Sequence, residues 1–123
     1  MLDDRNTAPD PALAPFAAWS YDDNHTGWQA LLGEAVGGPD VSAYAAPARA
    51  RDLSGLPPTY VEVGELDIFR DESIDYARRV ADAGTSVELH VHPGCPHGFE
   101  HMSTDADVVL RSRADRLRAL RSF

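Results

Sequence analysis

Apolar positions are scattered in the first half of this chain and periodic in the second. Pro9, Pro11 and Pro15 break up residues 6–23, which read as a loop with at most a short helical turn. Trp28, Leu31 and Leu32 share one helical face. They predict a short amphipathic helix with Asn24 as N-cap and Gly33 as its stop. Residues 33–58 are rich in Gly, Pro and Ala and read as a long loop. A loop of that length is expected to be functional or packed against something larger.

From residue 59 the pattern sharpens. Thr59-Tyr60-Val61-Glu62-Val63, bounded by Pro57-Pro58 and Gly64, reads as a strand. Residues 70–83 read as a helix. Asp71 and Glu72 stand in its first turn, where negative charge suits the dipole, and Gly84 fits the position after its end. Ile74, Ala77, Val80 and Ala81 give it a stripe able to pack on a sheet. Residues 86–92 alternate, with Val87, Leu89 and Val91 on one side and Glu88, His90 and His92 on the other. That predicts a strand with one wet face near a sheet edge. Asp105 to Arg121 reads as the last helix, with Leu110, Ala114, Leu117 and Leu120 as its apolar stripe.

The order strand-helix-strand-helix predicts an α/β arrangement with a parallel strand pair and a right-handed crossover. Two parallel strands do not make a stable sheet alone, so a covering segment is expected beside the first. The 123 residues thus read as one partial domain. Residues 1–56 form a connecting, short-helix segment, and residues 57–123 hold two strands and two helices.

A net charge of −9 argues against a nucleic-acid partner. Arg111, Arg113, Arg116, Arg118 and Arg121 read as a solvated helix face suited to the negative end of the helix dipole. No apolar run is long enough for a membrane span, and the acidic N-terminus has no apolar leader segment, so a cytoplasmic location is expected. The single Cys95 allows no internal disulfide and no cysteine-built zinc site.

The candidate chemistry lies just after the two strands. In open parallel sheets, reactive groups gather at the strands' carboxyl ends. Asp67 follows the first strand and His97 the second. Adjacent parallel strands bring these loops together, so the carboxylate can accept the imidazole Nδ1–H and leave Nε2 as a general base. Glu65, Asp71 and Glu72 compete for the acid role, but the helix N-terminus accounts for the last two and Glu65 is less well placed. Singly, Asp67 also reads as a turn initiator and His97 as a satisfied loop histidine. His90, His92, His97 and His101 suggest a metal site only weakly, because alternate strand histidines are usually a polar face, and neither metal nor cofactor is expected. Cys95 near His97 is a possible nucleophile, weighed against its ordinary use as a small hydrophobe.

These segments resemble the C-terminal part of the hormone-sensitive-lipase-like family of α/β hydrolases, the bacterial carboxylesterase and lipase group. The similarity runs through Leu53-Ser54-Gly55-Leu56-Pro57-Pro58-Thr59-Tyr60, Val63-Gly64-Glu65-Leu66-Asp67, Arg70-Asp71-Glu72, Val87-Glu88-Leu89-His90-Val91 and Pro93-Gly94-Cys95-Pro96-His97-Gly98-Phe99. Leu2-Asp3-Asp4-Arg5 and the Trp19, Asn24, Trp28, Leu32-Gly33 spacing look like the segment just before.

The resemblance implies an α/β-hydrolase fold, with the strands as the last two of eight. It also implies Asp67 as triad acid, His97 as triad base and a small ester as substrate. Ile68 stands where a proline often follows the acid. No Gly-x-Ser-x-Gly occurs in the 123 residues, and no serine has the strand–turn–helix setting of a nucleophile elbow. The expectation is a chain inactive alone, served by an upstream half that carries the serine. The alternative is a non-catalytic assembly module, a homodimer through strand 86–92, which the resemblance implies often forms a dimer contact.

Overall fold

The computed structural model describes residues 1–122; Phe123, the last residue of the expected domain, lies outside them. Two strands, β1 (Thr59–Gly64) and β2 (Val87–His92), pair in parallel with Thr59 opposite Val87 and Gly64 opposite His92. Helix α2 (Arg70–Asp82) makes the crossover. Its end is a Schellman motif: Gly84 adopts φ +89°, its N–H donates to Ala81, and the Thr85 N–H donates to Val80. This is the expected strand-helix-strand unit of an α/β fold.

The two sheet faces are covered differently. Val63 and Val91 pack with Tyr21, Ile68 and Phe69 on one face. On the other lies α4 (Asp107–Ser122), reached through a short α3 (Phe99–Met102) that the periodicity does not announce. The contact with α4 is polar. Glu62 accepts hydrogen bonds from Tyr60 Oη (2.9 Å), Ser112 Oγ (3.0 Å) and Arg116, while Glu88 pairs with Arg118.

This seam corrects three expectations. The Glu88, His90 and His92 face is only partly wet: His92 is buried beneath Phe99, while the Glu88 and His90 side chains stay 39% and 29% exposed. The leucine stripe of the last helix is not its buried face either. Val109, Ser112 and Ala119 are buried, whereas Leu110, Leu117 and Leu120 are half to two-thirds exposed. The arginine cluster is only partly a solvated face, since Arg116 and Arg118 tie α4 to the strands.

The N-terminal segment is more ordered than its composition suggests. Helix α1 (Tyr21–Leu32) starts four residues earlier than predicted, because Ser20 and Asp23 form a reciprocal capping box. Asn24 is therefore not the N-cap. It is fully buried and donates to the Asn6 carbonyl at 2.6 Å. Single 3₁₀ turns stand at Ala14–Phe16, Gly33–Ala35 and Pro47–Arg49. Residues 1–6 are anchored by Asp4, which is fully buried, paired with Arg49 at 2.7 Å and bonded to the Gly37 N–H. The arginine holds the Asp4 carboxyl below the usual carboxylate range. Arg79 of α2 caps the carbonyls of Ala48 and Ala50, which locks the long loop against the crossover helix.

Candidate active site

Both loops of the site leave the carboxyl ends of the paired strands, and glycine sets how close they come. Gly64 ends β1 directly beneath the turn after β2. A Cβ at that position would lie 2.8 Å from the Cys95 carbonyl carbon, closer still to its oxygen, and 3.0 Å from the Pro96 oxygen. Only glycine admits this approach. The loops are then stitched together: Glu65 N–H donates to His92, Leu66 N–H to Cys95, and Gly94 N–H to the Glu65 carboxylate at 2.7 Å. Glu65, a competitor for the acid role, is thus occupied in joining the two loops.

Asp67 and His97 meet across this junction. Asp67 Oδ2 lies 2.9 Å from His97 Nδ1, and Asp67 Oδ1 accepts the Phe69 N–H at 3.0 Å. The carboxylate is buried, while the imidazole keeps 41% of its side-chain surface exposed. The hydrogen bond that His97 donates to Asp67 is the main cause that raises the His97 pKa above its ordinary value, against a smaller opposing effect of burial. An ionised Asp67 accepts from Nδ1–H, so Nε2 carries the lone pair. Among the described residues no hydrogen bond occupies Nε2. The ring is braced by Phe69 edge-on at 5.3 Å, and Trp19 stands 6.2 Å away at the rim.

The remaining candidates fall elsewhere. Asp71 is exposed and paired with Arg70. Glu72 faces the N-terminal segment. Cys95 is buried, its Sγ contacts the Pro93 carbonyl, and burial pushes its thiol pKa up, which disfavours the nucleophilic thiolate. His90 binds Glu88 and stacks between Tyr60 and His92, and His101 is exposed. Among the described residues no three His, Cys, Asp or Glu side chains converge as a metal set. No helix there is long and apolar enough to cross a membrane.

Trp19 and Gly64 are the site features that sequence reasoning passed over. Only Gly64 left a signal: a glycine at a strand's carboxyl end marks a close backbone approach as readily as a strand boundary.

Residues 2–101 match the family described as alpha/beta hydrolase fold. Carboxylesterase NlhH of Mycobacterium tuberculosis (strain CDC 1551 / Oshkosh) is 35% identical over 98 residues, covering 75% of this chain and 30% of the relative. Hormone-sensitive lipase of Mus musculus is 40% identical over 58 residues, covering 46% of this chain and 8% of that protein. Among solved structures, a bacterial heroin esterase superposes with a TM-score of 0.87 at 44% identity, over 99% of this chain and 39% of the esterase. The chain thus spans less than half the length of these relatives.

Proposed function

The chain belongs to the α/β-hydrolase family, in its hormone-sensitive-lipase-like branch, and from that premise we propose that His97 is the general base and Asp67 the orienting acid of a carboxylic-ester hydrolase. The observation that carries this reading is the 2.9 Å contact between a buried carboxylate and a half-exposed imidazole at the ends of adjacent parallel strands. The relatives' names, carboxylesterase and lipase, support a carboxylic ester as substrate, and we take it to be a small one.

The chemistry follows from the pair. Nε2 of His97 removes the proton of a nucleophilic hydroxyl as it attacks the ester carbonyl. Asp67 stabilises the imidazolium that forms, and the imidazolium returns its proton to the departing alkoxide. Water then repeats the sequence on the acyl intermediate. The hydroxyl and the oxyanion donors come from polypeptide outside these 123 residues, since no Gly-x-Ser-x-Gly stands within them. Losing the nucleophile alone costs on the order of 10⁶ in kcat, so the chain by itself is inactive in this reading.

The test is hydrolysis of p-nitrophenyl butyrate by the chain alone and by the chain joined to the coding sequence lying 5′ of it. Background rates alone, and turnover by the joined polypeptide that His97→Ala abolishes, are expected. Turnover by the homogeneous chain alone, lost in His97→Ala, would overturn the need for an outside nucleophile. A joined enzyme indifferent to His97→Ala would overturn the base assignment.

A second reading, an assembly module without catalysis, is favoured by a different observation. Among the described residues each strand has one unpaired edge, and Leu89 of β2 is 37% exposed. A homodimer through β2 would cover that edge. Light scattering on the chain decides: a monomeric mass at assay concentration removes this reading.

A further inference from the structure

Glu72 occupies the first turn of α2, where a helix dipole alone accounts for an acidic residue. Its neighbour Asp71 behaves that way, exposed and paired with Arg70. Glu72 does not. Burial pushes its carboxyl pKa up, and both oxygens are used by the N-terminal segment. Oε1 accepts the Leu2 N–H at 2.6 Å and Oε2 accepts the Asn6 side-chain amide at 2.9 Å. The same Asn6 amide nitrogen donates to the Ile68 carbonyl at 2.9 Å. Asn6 is itself held, because its own carbonyl accepts from the fully buried Asn24.

Ile68 directly follows Asp67. We propose that Asn6, seated by Glu72, is a positioning residue that fixes the Ile68–Phe69 peptide, whose N–H donates to Asp67 Oδ1, and so holds the Asp67 carboxylate on His97. This rests on the base-and-acid reading of that pair. The physical reason is local. The acid loop runs past the end of β1, beyond the last ladder bonds, and Ile68 is buried. Without the Asn6 amide its carbonyl loses this partner, and the peptide is free to rotate toward another. A rotation there swings Asp67 Oδ2, which has only a 2.9 Å reach to Nδ1. Geometry of this kind tolerates displacements well below 1 Å.

The experiment is NMR titration of the His97 ring in the intact 123-residue chain, well below its melting temperature. Asp67→Asn is expected to lower the His97 pKa by about one unit or more. The uncharged change Asn6→Ala is expected to lower it by about half a unit. Asp75→Asn, exposed on the same helix, controls for loss of a distant charge and should leave it in place. A folded Asn6→Ala chain with the wild-type titration overturns the positioning role. Should Asn6→Ala fail to fold, Glu72→Gln carries the test: a fall larger than that of Asp75→Asn supports it, and an equal one overturns it. If Asp67→Asn itself moves nothing, the base-and-acid reading falls instead. The two failures are therefore distinguishable.

Discussion

Gly64 and the Cys95 carbonyl group touch so closely that no side chain fits between them. The contact involves main chain on both sides, so neither partner can swing aside. Gly64→Ala is expected to push the His97 loop away from β1, at a cost of about 1–3 kcal/mol for forced overpacking. Thermal unfolding measures the cost. A variant as stable as wild type, with an unchanged His97 titration, would contradict the account of how the loops are brought together.

His97 has a raised pKa because Asp67 favours the imidazolium. A raised folded pKa contributes stability that is fully present below the unfolded value, here 6.5. That contribution is lost as pH rises through the folded value. With the ring 41% exposed, solvent screening keeps it below about 1 kcal/mol. Urea unfolding at pH 5.5 and 8.5 should show wild type losing more stability across the interval than Asp67→Asn. Equal losses would mean that the contact does not persist in solution.

The polar seam under α4 has the opposite sign. Burial pushes the Glu62 carboxyl up, but the bonds from Tyr60, Ser112 and Arg116 together outweigh it and leave the pKa below its ordinary 4.5. A depressed folded pKa contributes stability above the unfolded value, lost as pH falls through the folded one. Glu62→Gln is therefore expected to cost about 1.5–3 kcal/mol at pH 7 and progressively less below pH 4.5. Denaturation of both chains at pH 7 and pH 3.5 measures this. A difference independent of pH would assign the loss to packing.

Strand-helix-strand order and the Asp67–His97 juxtaposition were legible because both rest on short periods and on position relative to strand ends. What the sequence hid depends on long-range partners. Leu110, Leu117 and Leu120 have perfect helical spacing, yet Val109, Ser112 and Ala119 are buried, because the strand face beneath offers Glu62 and Glu88, which Arg116 and Arg118 satisfy. His92 alternates like a surface residue but is buried by α3, a turn too short to show a period. Its Nε2 lies 3.5 Å from Glu62, too poorly placed for a hydrogen bond. Ser20 outcompetes Asn24 as N-cap because Asp23 can answer it, while Asn24 is taken up by Asn6. Asp4 and Arg49 are 45 residues apart, beyond any local signal.

The last prediction concerns the free flank of β1. Thr59 N–H donates to Ser86 and Glu65 N–H to His92, so odd-numbered amides of β1 point toward β2. The alternation turns the Tyr60, Glu62 and Gly64 amides to the outer edge. Leu110, Leu117 and Leu120 are half to two-thirds exposed as well, and each would gain about 1–2 kcal/mol if that remaining surface were covered. In the chain alone, hydrogen exchange at 60, 62 and 64 should be much faster than at 61 and 63. In the chain joined to a polypeptide that supplies the neighbouring strand, all five should be slow, because that strand then pairs with the edge. Slow exchange at the outer amides of a dilute, monomeric chain would show that β1 needs no partner, and the argument for a complementary segment would lose its structural basis.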